Sequence, residues 1–413
     1  MSSVTNRIYY IMGIILISTA ISPISVLITT QLLPYNINEI FLIPGIILVL
    51  ISNKGIRRSF ISHVRDNQFF ILSFALYLFL IIGIVTGENV AYSYGDFRTI
   101  LIFLFFSTMV VKDISSQESI KQFIYDIFLV VSVLDSLYLL VLFTYFTQEG
   151  NRHIVMAVCP LVTSIRFLYK EKYISSGLFL SLLVYESALS SMRINYILIL
   201  IYLLFLFIYL FTSIFKRKYS FTKTLVFVVI ITIASIQIAP IIYDFIKADG
   251  SRYVHSIKRT EELLNSENSD AQRIDTTFLF INEPLELIFP QGLGWRNHIS
   301  RIGSLFGRKY EVSSSMDSNI FYCVYHFGLI IGLFIVFNFF KLLIILLFNV
   351  WKTCSFLGFA YYSLLVTFIM SMFLLKSWIF VYLNFGFAFS LLIILIRYPD
   401  LGAYRTQRVE IRC

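Results

Sequence analysis

Long apolar stretches recur along almost the whole of this 413-residue chain. A helix that crosses a bilayer needs about 20 consecutive, mostly apolar residues. About twelve stretches approach or reach that length, and the shortest of them are 37–52 and 97–111. They are 8–31, 37–52, 69–86, 97–111, 122–147, 153–169, 174–191, 194–215, 224–245, 319–340, 356–375 and 378–396. The pattern predicts an all-α polytopic membrane protein with about twelve transmembrane helices.

The composition excludes the other main classes of protein. The chain is 58% hydrophobic and 14% charged, with a mean hydropathy of +0.81. A soluble globular domain is about 45–50% apolar and about 25% charged. A soluble enzyme, a disordered chain and a fibrous protein are therefore ruled out. The four cysteines are widely spaced, so the sequence predicts neither a disulfide framework nor a zinc site.

The distribution of Lys and Arg predicts the orientation in the membrane. Cytoplasmic loops of membrane proteins carry an excess of these residues. With a cytoplasmic N-terminus, 19 of the 33 Lys and Arg lie in cytoplasmic segments and four lie in short outer segments. The first apolar stretch is long for a signal peptide, so we expect it to remain as a membrane helix. Both termini are thus predicted to be cytoplasmic, and the net charge of +9 requires no nucleic-acid partner.

One long polar segment interrupts the apolar stretches. Residues 246–318 contain nine basic and ten acidic residues, and the predicted topology places them outside the cytoplasm. Apolar residues in 270–282 have helical spacing, and Pro290-Gln-Gly-Leu-Gly294 is typical of a turn. The predicted organisation is nine transmembrane helices in 1–245, a large outer loop with short helices at 246–318, three transmembrane helices in 319–396 and a cytoplasmic tail at 397–413.

Three arginines lie on the outer side, where positive charge is otherwise scarce. Arg98 begins the fourth predicted helix, Arg152 begins the sixth, and Arg193 ends the seventh. An arginine at a membrane boundary is costly unless it has an anionic partner. Snorkelling, or a local salt bridge such as Asp96 with Arg98, would explain any one of them. Three together favour a common anionic ligand, and the planar guanidinium group suits a diphosphate.

Three carboxylates occupy positions that could serve chemistry. Asp135 lies in the middle of the fifth predicted helix, where a structural hydrogen bond is the simpler interpretation. Glu186 lies seven residues before Arg193 and on the same helical face. Asp317 directly precedes the tenth predicted helix, where it would cap the helix or meet a lipid-linked substrate at the membrane boundary. The chain has no P-loop, no HExxH motif and no cluster of Cys and His, so no metal or other cofactor is expected.

The layout resembles the Wzy-type O-antigen polymerases and, more distantly, the O-antigen ligases. Ser190-Ser-Met-Arg193 is similar to the Ser-x-Ser-Arg stretch of this family, and Pro290-Gln-Gly-Leu-Gly294 is similar to its Gly-x-Gly turn. Asp317-Ser-Asn319, followed by Gly328 and Gly332, is similar to its His/Asp-Asn-x-Tyr…Gly…Gly element. The ligases carry histidine where this chain has Asp317, which favours a polymerase.

The resemblance implies a GT-C-like membrane fold and an inner-membrane enzyme of lipopolysaccharide biosynthesis. Such a glycosyltransferase joins oligosaccharide repeat units carried on undecaprenyl diphosphate at the periplasmic face, without a metal ion. An O-antigen ligase and a polysaccharide flippase or transporter remain alternatives. The long loop and the lack of a repeat between the two halves of the chain disfavour a transporter.

The resemblance also implies roles for particular residues and a further partner. Asp317 or Glu186 would orient or deprotonate the acceptor hydroxyl. Arginines would stabilise the diphosphate of the donor. The candidates are Arg98, Arg152, Arg193 and Arg273, with Arg259 as the alternative to Arg273. A separate chain-length regulator is expected as a possible partner, beside the lipid-linked oligosaccharide and membrane lipid.

Overall fold

The computed structural model describes residues 3–22, 38–86, 90–111, 113–145, 158–190, 288–293, 319–353, 356–375 and 383–398. Over these ranges the chain forms twelve helices and no strand, which confirms the predicted all-α class there. The helices are α1 (Ser3–Ile21), α2 (Glu39–Ser52), α3 (Lys54–Val64), α4 (Asn67–Val85), α5 (Val90–Thr108), α6 (Ile114–Tyr145), α7 (Val158–Tyr169), α8 (Tyr173–Ser190), α9 (Asn319–Phe327), α10 (Leu329–Thr353), α11 (Phe356–Leu375) and α12 (Leu383–Arg397).

These twelve helices do not correspond one for one to the predicted membrane spans. The first seven predicted spans match α1, α2 and α4 to α8, and the last two match α11 and α12. Residues 54–64, predicted as a cytoplasmic loop, form α3. The predicted spans 194–215 and 224–245 lie outside the described residues, as does most of the predicted loop 246–318.

The predicted span 319–340 is wrong in extent, because the chain breaks at Gly328 and continues as a second helix. Gly328 has a φ of +78°, a left-handed conformation that glycine adopts without steric cost. It ends α9, and α10 then continues to Thr353. The exposed Lys341 therefore lies inside α10, one residue beyond the predicted end of the span. The long lysine stem lets a helix pass such a charge, because the ammonium group can reach toward a polar region.

Several helices fit a membrane environment. In the described part of the chain, three segments are long and apolar enough to cross a membrane: Val4–Ile21, Asn67–Val85 and Leu329–Val350. The pair α2 and α3 makes a fourth if the two helices, bent by 117°, count as one span. Helix α4 exposes large apolar side chains along its length, among them Phe70 and Phe74. A soluble protein rarely exposes an apolar surface of this kind, whereas lipid covers it at no cost. These helices fit the membrane protein that the sequence predicts.

The chain divides into two compact units, and α12 forms the core of the first. Unit 1 comprises 1–131 and 274–413, and unit 2 comprises 132–273. Helix α12 is apolar on all sides, as expected for a helix surrounded by protein, and every residue from Gly386 to Ile396 is buried. It packs against α1, α5, α10 and α11. The ring of Phe387 lies 4.9 Å from that of Phe106 in α5.

One end of unit 1 is closed by hydrogen bonds between α12 and α5. The last carbonyls of a helix have no partner within it. The Arg397 guanidinium donates to the carbonyls of Ser107 and Met109, both at 2.7 Å. The Tyr398 hydroxyl accepts a hydrogen bond of 2.7 Å from the backbone N–H of Val111. A cation at the negative end of the α5 dipole also stabilises this arrangement.

The short segment that follows α5 also anchors the beginning of α6. The Asp113 carboxylate accepts hydrogen bonds from the hydroxyls of Ser115 and Ser116, which lower the pKa of the carboxyl. The Gln117 side chain donates to the Val111 carbonyl at 2.8 Å. We call the end of unit 1 that carries α3, Arg397 and the beginning of α6 the α3 end.

Unit 2 contains a closely packed helical hairpin. Helices α7 and α8 are joined by a short turn in which Glu171 has a φ of +61°. The Ser164 hydroxyl donates to the Ser176 carbonyl at 2.8 Å, and the Ser176 hydroxyl donates to the Ser164 carbonyl at 3.0 Å. Small polar residues of this kind are common between membrane helices. Asp135 lies in the part of α6 that belongs to this unit, and its side chain is fully buried.

Replacing Gly328 with Ala should destabilise unit 1. The left-handed conformation costs a residue with a Cβ about 1–2 kcal/mol. The new Cβ would also lie 2.9 Å from the Ile288 carbonyl oxygen. We expect a loss of about 2–3 kcal/mol in the free energy of unfolding, measured as a lower melting temperature of the detergent-solubilised protein.

Gly95→Ala is the matched control for Gly328→Ala. Nothing lies within 4 Å of a Cβ at Gly95, and alanine favours a helix over glycine by about 0.5–1 kcal/mol. A melting temperature equal to or above that of the parent is expected for this variant. Equal melting temperatures for the two variants would contradict the structural role of Gly328.

Candidate functional site at the α9 end of unit 1

The turn at 290–293 packs against the end of α9. The backbone N–H of Gln291 donates to the Tyr325 carbonyl, and that of Gly292 donates to the His326 carbonyl, both at 3.1 Å. These two carbonyls belong to the last turn of α9, where no backbone donor of the helix reaches them. The turn predicted from the sequence therefore caps the helix that carries the Asn319…Gly328 element.

The same turn is also in backbone contact with α4. The N–H of Leu293 donates to the Phe79 carbonyl at 3.1 Å, and the Thr86 hydroxyl donates to the Gln291 carbonyl at 3.0 Å. A Cβ at Gly83 would lie only 2.0 Å from the Leu293 carbonyl oxygen, so only glycine allows this approach. Gly292 has a φ of +84°, again a left-handed conformation. The turn thus joins α4 to α9.

A buried acid and a buried histidine meet beside the turn. The Nε2 atom of His326 lies 3.5 Å from Oδ2 of Asp96 in α5, and the two side chains are 1% and 2% exposed. Nδ1 of His326 lies 2.8 Å from the Tyr322 carbonyl oxygen. A carbonyl oxygen only accepts, so Nδ1 carries a proton and Nε2 faces the carboxylate. At 3.5 Å the contact is longer than an ordinary hydrogen bond, so it brings the carboxylate and the imidazole together as an electrostatic contact between α5 and α9.

An ion pair joins α5 to α2 at Arg98, two positions after Asp96 in α5. Nη1 of Arg98 donates to both carboxylate oxygens of Glu39, at 2.9 and 3.1 Å, and the side chains are 18% and 17% exposed. The Tyr94 hydroxyl donates to Glu39 at 3.4 Å. Both hydrogen bonds to Glu39 come from one nitrogen of the guanidinium. Its Nε is buried and makes no hydrogen bond with any described residue.

We call this group of residues the α9-end cluster: Glu39, Asp96, Arg98, His326 and the turn 290–293. Its α5 residues lie in the first half of that helix, and the hydrogen bonds of Arg397 lie at its last turn. Within the described ranges, no three His, Cys, Asp or Glu side chains come together as metal ligands would. The cluster pairs acidic with basic side chains from three helices.

The structure changes two predictions about Arg98. Arg98 was expected to begin the fourth helix, but α5 begins at Val90, so Arg98 lies in the third turn. A helix can extend past these charges because each is paired with another helix. The suggested local salt bridge with Asp96 is also wrong, because Arg98 pairs with Glu39 and Asp96 with His326.

Of the other predicted site residues, only Glu186 lies in the described part of the chain. Glu186 lies in α8, one turn before that helix ends at Ser190, and belongs to unit 2. Four of the predicted residues lie outside the described residues: Arg152, Arg193, Arg273 and Asp317. Their proposed roles therefore remain predictions.

Sequence reasoning missed Glu39 and His326, and considered Asp96 only as a partner of Arg98. An acid in the first turn of an otherwise apolar helix was a usable signal for Glu39. His326, two residues before Gly328, lies inside one of the elements that carry the resemblance. Neither Glu39 nor His326 lies near its partner in the sequence. Glu39 and Arg98, for example, are 59 positions apart.

Removing either partner of the Glu39–Arg98 pair should destabilise the protein. Glu39→Gln and Arg98→Gln each leave one partly buried charge without its partner. For a pair about one-sixth exposed, we expect each change to cost about 1–3 kcal/mol, between the values for surface and buried pairs. The double variant should lose less than the sum of the two, with a coupling of about 1 kcal/mol or more.

The measurement is the melting temperature of the four proteins in one detergent. Arg57→Gln is the matched control, because Arg57 is exposed and its removal should change stability by no more than about 0.5 kcal/mol. If Glu39→Gln and Arg98→Gln have strictly additive effects on stability, the contact between the two side chains contributes nothing to stability.

Comparison with protein-family models, with curated proteins and with solved structures gives no match to this chain. No residue role is transferred from a relative on that basis. The function is therefore argued from the residues of the chain itself and from the resemblance that its sequence elements carry.

Proposed function

We propose that this chain is a polysaccharide polymerase of the Wzy type. It would join oligosaccharide repeat units carried on undecaprenyl diphosphate, at the periplasmic face of a bacterial inner membrane, as a metal-independent glycosyltransferase. The proposal rests on the resemblance in sequence layout and on one structural observation that agrees with it.

That observation is the contact between two elements that the resemblance identified separately. The turn that begins at Pro290 donates two backbone hydrogen bonds of 3.1 Å to α9. Helix α9 begins at Asn319, two residues after Asp317, and ends at the Gly328 break. Two elements that serve one site are expected to pack together, even when a stretch of chain separates them in the sequence. Their contact thus favours the polymerase interpretation over a chance match of short patterns.

The proposed reaction needs charge stabilisation and one proton acceptor. The bond between the anomeric carbon of the growing chain and its diphosphate breaks, and the electron pair leaves with the diphosphate. A sugar hydroxyl of the incoming unit forms the new glycosidic bond, and its proton passes to a carboxylate. A diphosphate is a good leaving group, so no general acid is required, and arginines can stabilise its charge.

The arginines divide into primary and supporting candidates. Arg98 already has a carboxylate partner in Glu39, so its net attraction for a further anion is reduced. Its side chain is 18% exposed, which keeps Arg98 as a supporting residue. Arg152, Arg193 and Arg273 are proposed to bind the diphosphate.

Asp317 and Glu186 remain the proposed candidates for the proton acceptor. Asp96 is not proposed, because it already pairs with His326 and is buried from solvent. Asp317 lies two positions before the first residue of α9, the helix that the turn caps. This proximity in sequence supports Asp317 as the first choice.

The proposed orientation follows the positive-inside rule. The α3 end carries Lys54, Arg57, Arg58 and Arg397 and would be cytoplasmic. The α9 end would then be periplasmic, and both termini would be cytoplasmic. A separate protein would regulate chain length.

Deletion of the gene in the source bacterium tests the proposed function. A polymerase mutant should reduce the lipopolysaccharide ladder on a silver-stained gel to core plus a single repeat unit, because units are still made, exported and ligated. Loss of even the single unit would contradict a polymerase. Lipid-linked polymer in the periplasm would then indicate a ligase, and units retained inside the cell would indicate a flippase.

Complementation of the deletion separates the two carboxylates. Asp317→Asn should fail to restore the ladder, because the amide does not accept the hydroxyl proton, while Glu186→Gln restores it at least in part. The converse result would assign the role to Glu186 instead.

Arg193→Glu should abolish the ladder through charge repulsion with the diphosphate, and Arg57→Gln is the control that should restore it. Membrane levels of each variant are checked by immunoblot.

A further inference from the structure

Helix α3 crosses the end of unit 1 instead of continuing the direction of α2. The two helices are bent by 117° at Asn53. The Asn53 side chain accepts hydrogen bonds from the N–H groups of Gly55 and Ile56, at 3.0 and 3.1 Å. Such an N-cap starts a new helix at a defined residue. Where α2 crosses the membrane, the axis of α3 therefore runs closer to parallel with the membrane surface.

The inner face of α3 is fixed by aromatic contacts. The ring of Phe60 lies 5.0 Å from that of Phe105 and 5.8 Å from that of Phe106, both in α5. The His63 ring lies 5.0 Å from that of Phe69, and its Nε2 is 3.3 Å from the Thr108 hydroxyl. These contacts set the rotation of α3 about its own axis, so its other face is held outward.

The outer face of α3 is basic. Lys54, Arg57, Arg58 and the adjacent Arg65 are exposed, and no acid lies within Lys54–Val64. None of the four forms an ion pair with a described residue. Ile61 and Val64, which lie among them on the helix, are 45% and 56% exposed. Asp66, the next acid along the chain, caps α4 by accepting from the Gln68 N–H at 2.9 Å.

A fixed basic face with apolar residues beside it, at one end of an apolar bundle, matches the boundary of a membrane. Lysine and arginine at that level attract anionic phospholipid, and each contributes about fivefold to the affinity. The exposed Ile61 and Val64 add apolar surface that acyl chains can cover. A soluble acidic partner would pair with the basic residues but would leave the apolar surface of Ile61 and Val64 exposed to water.

We propose that α3 binds the headgroups of anionic phospholipids through Lys54, Arg57, Arg58 and Arg65. The site is independent of the proposed polymerase activity, because α3 packs on the last turn of α5, whereas the α9-end cluster contacts the first half of α5. It would hold the bundle at a defined depth on that side of the bilayer.

Native mass spectrometry of the purified full chain tests this site. The probes are phosphatidylglycerol and phosphatidylcholine with the same acyl chains, titrated into the detergent-solubilised protein. Arg57→Gln/Arg58→Gln/Arg65→Gln should bind phosphatidylglycerol at least about tenfold more weakly, with phosphatidylcholine binding unchanged. Arg57→Lys/Arg58→Lys/Arg65→Lys should keep most of the binding, because charge and not the guanidinium geometry is required.

Lys170→Gln/Lys172→Gln is the control for position, since both lysines are exposed in the turn between α7 and α8. It should bind phosphatidylglycerol like the parent protein. Amide hydrogen exchange provides the location: phosphatidylglycerol should slow exchange in a peptide covering 54–65. If the triple glutamine variant is not monodisperse, Arg58→Gln alone decides, with an expected loss of about fivefold.

Three results would overturn the proposal. The first is unchanged phosphatidylglycerol binding by the glutamine variants. The second is an equal loss for phosphatidylcholine, which would indicate a general loss of lipid contact. The third is competition by inorganic phosphate at the concentration of the lipid, which would identify a site for free anions and not for headgroups.

Discussion

Polar groups that lie among apolar helices must find partners within the protein, because hydrocarbon offers no hydrogen bonds. Unit 1 meets this requirement at the end of α5 and at the end of α9. At one end, Arg397 donates to two carbonyls that end α5. At the other end, the turn at 290–293 donates to two carbonyls that end α9. In both cases the partner comes from a distant part of the chain, so satisfying the helix ends also determines which helices pack together.

The same requirement limits what the charged residues can do. Asp96 and His326 are almost fully buried and lie 3.5 Å apart, so their first role is to join α5 to α9. Arg98 and Glu39 are more exposed, with side chains that are 18% and 17% accessible. Of the basic residues in the cluster, Arg98 is therefore the more accessible to an anion that approaches from outside. Its carboxylate partner would then hold the guanidinium in place and reduce its net charge.

The sequence predicted the helices well where a single stretch of residues determines them. Apolar runs identified nine of the helices, and the turn beginning at Pro290 follows from its glycines. The prediction failed where local pattern and tertiary contact disagree. Arg98 was predicted to begin a helix, although it lies within α5 and is paired with α2. Helix α3 was predicted as a loop because its buried side chains, Ile56, Phe60 and His63, lie among charged residues. For the site, Arg98 was predicted, but Glu39 and His326 were missed, because their pairing with Arg98 and Asp96 depends on contacts between distant segments.

The central position of α12 has a consequence for the order in which the protein is assembled. Among the described helices it is the last to be synthesised, yet it contacts α1, α5, α10 and α11. Helices inserted earlier cannot complete their packing until it arrives, and the end of α5 lacks its Arg397 partner for the same interval. During translation, the surfaces of α1 and α5 that α12 covers must therefore lack that packing until α12 is made. The packing of unit 1 is expected to be completed in one late step, when α12 joins the helices made before it.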